Sequence, residues 1–333
     1  MNKKTIAISM GDPAGIGPEV ILRTFASGDA WEGIRPLVFG DLTRLRITAD
    51  RFDIPVEPVS VKTPKEAAGQ FPLLDVLDLA NVTPDLPLGA GNAVTGRAAL
   101  DYIEAAFASV ITGDAAALVT APISKEAIRA AGSPYSGHTD MLAAMTKTDK
   151  WAMTLVADTM RAMFVTAHIP IRDVSAAVTR DRVLDTIELA ALALDLLGES
   201  GRTIAVAGLN PHAGEAGILG SEETDCIIPA IAAARERGIN CAGPVPGDTA
   251  FFRMQNGEFA IVVAMYHDQG HAPLKLIAFD TGVNWTVGLP IIRTSPDHGT
   301  AFDIAPEGVA RPDSFRNALA LAARLAQKTG RPK

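Results

Sequence analysis

From Lys4 onward, short apolar runs alternate with stretches of helical spacing, and this alternation restricts the chain to a mostly parallel α/β architecture. "KTIAISM" reads as a strand and is followed by "GPEVILRTFAS", a helix with Pro18 near its first turn. "PLVFGD" precedes "LTRLRITADRF", and "AALVTAP" precedes "SKEAIRAAG". A long helix is expected over about residues 90–111. "WAMTLVAD" and "RAMFVTAH" flank a short turn, so they are expected to pair antiparallel. Apolar residues at 183, 187, 190, 194 and 197 define a helix, with Thr179 as its N-cap and Gly198 as its stop. "SEETDCIIPAIAAARERG" is a further helix that Pro229 should kink or delay, and "DSFRNALALAARLAQK" is the last.

Three apolar runs end alike. "MFVTAH", "IAVAGLNPH" and "IVVAMYH" each lead from a strand into a histidine. In open α/β sheets, ligands bind at the carboxyl ends of strands. If the three strands are neighbours, His168, His212 and His267 converge on one edge. Three imidazoles with an open position make a catalytic metal site. Taken singly, each would be an ordinary loop or core histidine, and the shared placement favours the metal. The third run continues as "YHDQGHAPLK", which concentrates polar chemistry after an apolar strand. Asp140, Asp268 and Asp297 neighbour histidines and are candidates to orient them, or are turn and cap residues.

Composition removes several function classes. The 333 residues carry a net charge of −8 with no basic block, so there is no nucleic-acid footprint. No run approaches the ~20 apolar residues of a membrane span. "MNKKTIAISMGDPAG" is too short in its apolar part for a signal peptide. A cytoplasmic protein is the expectation. Cys226 and Cys241 read as small buried thiols in or near one helix. The length favours two lobes, although no linker or repeat marks a boundary.

"GDPAGIGPEV" sits where a phosphate loop would, between strand and helix. Neither Gly-x-Gly-x-x-Gly nor Gly-x-x-x-x-Gly-Lys-Ser/Thr occurs, so by itself it is a tight turn. Lys275 and Arg293 lie among apolar residues, where an unpaired charge is costly, and are candidates to bind an anion. Lys125 is a weaker one.

The motifs "GDPAGIGPEV", "TAPISK", "SGHTD", "GLNPHAGE", "MYHDQG" and "VNWTVGLPIIRTSPDHGTAFDIA" together resemble the 4-hydroxythreonine-4-phosphate dehydrogenase family, from the first strand to the last helix. The resemblance implies a two-lobed isopropylmalate dehydrogenase-like fold with a cleft between lobes. The expected lobes are residues 1–125 plus 275–333 for the nucleotide, and 126–274 for metal, substrate and dimerisation. It implies NAD or NADP, a homodimer with active sites at its interface, and a divalent metal (zinc, cobalt, manganese or magnesium) on His168, His212 and His267, one of them from the partner subunit. Substrate contacts fall on His138, Thr139, Lys275, Asn284 and Arg293. The nucleotide falls on Gly15 and Gly17 and on Asp297, His298, Gly299, Thr300 and Asp303.

Three features depart from the biosynthetic enzymes of that family: Asp280 in "LIAFDTGVN", His271 where leucine is common, and Ser124 where histidine is common. They look more like the branch that oxidises threonate or erythronate 4-phosphate. The expected reaction is oxidation of a phosphorylated four-carbon hydroxy acid followed by decarboxylation. The metal would polarise the hydroxyl, Lys275 and Arg293 would hold the carboxylate or phosphate, and Asp248 or Asp268 would take the proton. The alternatives are 4-hydroxythreonine 4-phosphate or a cyclic dihydrodiol carboxylate as substrate. A metal-dependent hydrolase or aldolase, and a non-enzymatic metal- or nucleotide-binding module, are readings from other classes.

Overall fold

The computed structural model describes residues 3–328. Among them, strands run at β1 (Lys4–Ser9), β2 (Ile34–Gly40), β3 (Glu57–Val61), β4 (Leu73–Asp78), β5 (Ala117–Thr120) and β6 (Ala152–Ala157). They continue at β7 (Met160–Phe164), β8 (Ile204–Ala207), β9 (Cys241–Val245), β10 (Ile261–Ala264), β11 (Val283–Val287) and β12 (Arg293–Pro296). The chain forms two compact units, residues 1–147 with 289–333, and residues 148–288.

In the first unit the strand order is β3-β4-β2-β1-β5-β12, and every pairing is parallel. The helix Ala93–Ile111 covers it, with Leu100, Ile103 and Phe107 packed on Ala7, Leu37, Phe39 and Leu118. This helix starts sharply because Asn92 and Thr95 cap each other's backbone N–H groups.

In the second unit the order is β11-β6-β7-β10-β8-β9. β11, β6 and β7 pair antiparallel, whereas β7, β10, β8 and β9 are parallel. Its core joins Leu155, Phe164, Val262, Phe251 and Met254. The expected β6–β7 hairpin forms, and Thr179 Oγ1 accepts from Arg182 N to start the helix Arg180–Leu197, which ends at Gly198 in the left-handed region. Pro229 does not delay its helix, which begins at Glu222: a π-helical turn, Glu223–Ile227, runs directly into Ile228–Glu236 just before the proline.

The structure refines two sequence expectations and redraws a third. "YHDQGHAPLK" follows the strand β10 as expected, and it opens a helix, His267–Ala278, which has Pro273 inside it. Cys241 lies in a strand, β9, that runs beside the helix Ile228–Glu236: its carbonyl accepts from Arg235 Nε over 3.0 Å, and its thiol is buried whereas that of Cys226 is only partly so. Residues 126–147, assigned above to the second lobe, pack with the first unit, and residues 275–288 pack with the second. Helix Lys125–Ala130 lies so close to Ala93–Ile111 that a Cβ on Gly96 would meet Ala127 O at 2.1 Å. That packing places the segment.

Candidate active site

In the second unit, β7, β10 and β8 are adjacent and parallel, so His168, His212 and His267 all follow strand carboxyl ends along one edge. The ends of β7 and β10 stay joined beyond the ladder. Val165 N donates to Ala264 O over 2.9 Å, and Thr166 Oγ1 donates to Met265 O over 2.7 Å. The rings of His168 and His267 are consequently 5.5 Å apart between centroids. With Thr166, Tyr266 and Asp268 they line a cavity of about 300 Å³. His267 Nδ1 donates to Asp268 Oδ1 over 2.7 Å, which leaves Nε2 as the nitrogen with a lone pair.

His271 comes from the next turn and stacks on His267, with Phe164 behind it at 4.7 Å. His168 has φ +49°, a left-handed conformation that costs a non-glycine residue about 1 kcal/mol.

His212 is exposed in a left-handed turn, with every φ from His212 to Ala216 between +43° and +81°. Buried Glu223 holds the turn's entrance, accepting from Leu209 N at 2.8 Å and from Asn210 N at 2.7 Å. Asn210 Nδ2 donates to the same carboxylate over 2.9 Å. Among the described residues, no three His, Cys, Asp or Glu side chains come together as a metal site. One chain thus brings His168 and His267 to one cavity, with His271 stacked behind His267, and keeps His212 on the neighbouring strand end. Two imidazoles with an open side suit a divalent ion as a part-site to be completed by further donors.

Lys275 is half-buried, with Nζ 5.8 Å from the Phe279 ring centroid. Asn284 on β11 has a buried Oδ1 without a hydrogen-bond partner among the described residues. Asp248 is exposed in the first turn of the helix Gly247–Gln255, and Asp268 is occupied with His267.

Of the residues expected to bind an anion and the substrate, Arg293, His138 and Thr139 belong to the first unit, and Lys275 and Asn284 to the second. Arg293, 3% exposed, opens β12 and donates to Thr120 Oγ1 from Nη2 at 2.7 Å and from Nε at 3.2 Å. Its Nη1 lies 3.5 Å from Thr139 Oγ1. Burial pulls the Arg293 pKa down to about 10, so the guanidinium remains charged at neutral pH. His138 opens the helix His138–Thr146. Burial, and then the Arg293 charge, hold its pKa well below the ordinary 6.5. Its Nε2 is buried with no partner among the described residues. Arg293, Thr139 and His138 therefore form one buried cluster that joins a positive charge, a hydroxyl and an imidazole kept neutral.

The nucleotide candidates meet in part. Ile16 N donates to Thr300 O over 3.0 Å, and a Cβ on Gly15 would sit 2.9 Å from the same oxygen. Gly17 passes as close to Met10 O, 2.4 Å for a built Cβ. Gly299 faces open space, Asp303 is exposed, and His298 Nδ1 lies 3.1 Å from Gly299 O. Asp297 is held through its N–H, which donates to Ser314 Oγ over 3.0 Å.

Sequence reasoning passed over Asp12, Thr120, Glu223 and Gln269. Asp12 is fully buried, accepts from Ala14 N at 2.9 Å and from Thr95 Oγ1 at 3.1 Å, and has a pKa raised by burial. Thr120 ends β5 and was reachable by the same strand-end rule that found the histidines.

The family model of the pyridoxal phosphate biosynthetic protein PdxA matches residues 32–322. A D-threonate 4-phosphate dehydrogenase of Cupriavidus necator is 45% identical, over 97% of this chain and 97% of that protein. A 4-hydroxythreonine-4-phosphate dehydrogenase of Trichlorobacter lovleyi is 44% identical, over 97% of this chain and 98% of its own. The crystal structure of a 4-hydroxythreonine-4-phosphate dehydrogenase from Klebsiella pneumoniae superposes with a TM-score of 0.90 at 42% identity, covering 98% of each chain. Agreement in fold and in sequence thus extends over nearly all of both units, and the chain belongs to the PdxA family.

Proposed function

We propose that this chain is a metal-dependent, NAD(P)-linked dehydrogenase that oxidises, and then decarboxylates, a phosphorylated four-carbon hydroxy acid of the threonate 4-phosphate type. The observation that carries this reading is the buried Arg293 cluster, with its charge beside two threonine hydroxyls, in a chain 45% identical to a D-threonate 4-phosphate dehydrogenase. A guanidinium held beside two hydroxyls is a donor set that a carboxylate or phosphate can join. Arg293 and Thr139 bind the carboxylate or phosphate, and His138 presents an uncharged nitrogen to it. The Ile16–Thr300 contact shapes the turn that receives the nicotinamide cofactor.

His168 and His267 would hold the divalent ion, together with His212, and the ion would supply Lewis acidity at the substrate hydroxyl. Asp268 fixes the His267 tautomer and presents Nε2. Because Asp268 is so engaged, proton removal falls to Asp248 or to solvent. Lys275 adds positive charge on the same helix as His267.

Pairing of two copies through the second unit fits its exposed apolar side chains, Leu276 at 88% and Phe279 at 72% among them. A homodimer would also supply the further donors that the two imidazoles of one chain lack.

The second substrate reading, 4-hydroxythreonine 4-phosphate, is favoured by the 44% identity to an enzyme of that name. One comparison decides. Reduced nicotinamide is followed spectroscopically with threonate, erythronate and 4-hydroxythreonine 4-phosphates, each with NAD and NADP. The proposal expects the highest kcat/KM for one of the two acids. Faster turnover of the amino substrate than of both acids overturns it. Chelation should abolish turnover, and divalent metal should restore it.

A further inference from the structure

Helix His267–Ala278 begins without a side-chain cap, since Tyr266 at its N-cap offers no acceptor to the first turn. Gln269, three residues on, reaches back past Tyr266 instead. Its Oε1 accepts from Met265 N over 2.6 Å, so the last N–H of the strand that leads into the helix is satisfied. Its Nε2 donates to Gly208 O over 2.7 Å. Gly208 itself continues the β8–β9 ladder, with its N–H on Val245 O at 2.8 Å.

One side chain thereby ties the exit of β10 to the exit of β8, on opposite sides of the turn into the helix. The space around it leaves no latitude. A Cβ on Gly247 would come within 2.8 Å of Gln269 Nε2, and a Cβ on Gly270 within 2.6 Å of Phe164 Cε1. Asn is one methylene too short to make both bonds, and Glu cannot donate to Gly208 O.

We infer that Gln269 is a positioning residue that sets the direction of the first helical turn, and hence where the His267 ring presents Nε2 to a divalent ion. His267 is the first residue of that helix, so a small rotation of the turn moves its ring bodily. Metal–nitrogen distances tolerate only about 0.2 Å. Residues that orient a ligand commonly change metal affinity about 10- to 100-fold without touching the ion. Gln269 acts on His267 through the backbone, whereas Asp268 acts on the ring directly. This inference rests on the proposed role of His267 as a metal ligand.

The test uses the full-length protein and Co²⁺ as probe. Dissociation constants are measured by calorimetry, and the visible absorption of the loaded protein reports ligand geometry. Gln269→Ala and Gln269→Glu are compared with wild type and with His267→Ala, and melting in chelator monitors folding. The expected result is weakening of about 10-fold or more in both Gln269 variants, with an altered Co²⁺ spectrum and a cooperative melt retained. If Gln269→Ala fails to fold, Gln269→Glu, which keeps the Met265 bond, decides alone. Wild-type affinity and spectrum in a folded Gln269 variant, with binding lost in His267→Ala, overturn the inference and leave the metal reading standing. Undiminished Co²⁺ binding by His267→Ala overturns both.

Discussion

The rings of His267 and His271 lie parallel, 3.8 Å apart between centroids and 5° from coplanar orientation. His271 is 5% exposed, and its Nδ1 donates to His267 O over 3.3 Å, so the inner imidazole forms a packed floor under the outer one.

Removing that floor should cost stability. His271→Ala leaves a cavity between Phe164 and His267 and is expected to destabilise the protein by about 2 kcal/mol. His271→Leu keeps most of the volume and should cost less than about 1.5 kcal/mol. Urea midpoints of the two variants, at unchanged m, check the difference. Equal midpoints would show that the stack contributes nothing.

Arg293 should not be replaceable by lysine. Its Nε and Nη2 both engage Thr120, a forked contact that a single ammonium cannot reproduce. Arg293→Lys and Arg293→Met are both expected to lower kcat/KM for the phosphorylated acid by about 100-fold or more. A lysine variant with wild-type kcat/KM would place substrate binding elsewhere.

His138 makes stability pH-dependent with a definite sign. Its folded pKa lies well below 6.5, so at mildly acid pH the unfolded chain takes up a proton that the folded chain refuses. Stability is fully present above the unfolded pKa and falls as pH drops below about 6.5, by at most about 1.4 kcal/mol per pH unit from this group. His138→Gln should flatten that limb. Denaturant titrations between neutral pH and the folded-state pKa would reveal identical slopes if the argument were wrong.

Glu223 restrains the left-handed turn that carries His212. Glu223→Ala strands two backbone donors, Leu209 N and Asn210 N, while Asn210 Nδ2 keeps Glu222, and should cost about 2–3 kcal/mol. Amide exchange across residues 208–217 should quicken more than in the core strands. Glu223→Gln, which keeps one carbonyl oxygen, is expected to fall between. Unchanged exchange in this segment of the alanine variant would mean that the turn holds itself.

Local pattern was enough for the architecture. Continuous apolar runs such as Ile261–Ala264 can be stable only when both faces are covered, so the parallel α/β layout follows from composition along the chain. The Thr179 cap and the Gly198 stop are likewise local chemistry, decided within a few residues. The placement of His168, His212 and His267 at strand ends was legible for the same reason.

Which of these groups meet was decided by tertiary structure. Arg293 finds Thr120 across 173 residues of chain, and Gln269 finds Gly208 across 61, because strand order brings β5 beside β12 and β8 beside β10. No periodicity encodes such a pairing. The left-handed turn at residues 212–216 opposes intrinsic backbone preference, and its entrance is hydrogen-bonded to the buried Glu223 carboxylate. Sequence thus determined the kinds of groups and the edges they occupy. The packing of strand on strand determined which imidazoles touch, which cation is buried with hydroxyls, and which amide joins two strand ends, since those contacts lie between residues remote in the chain.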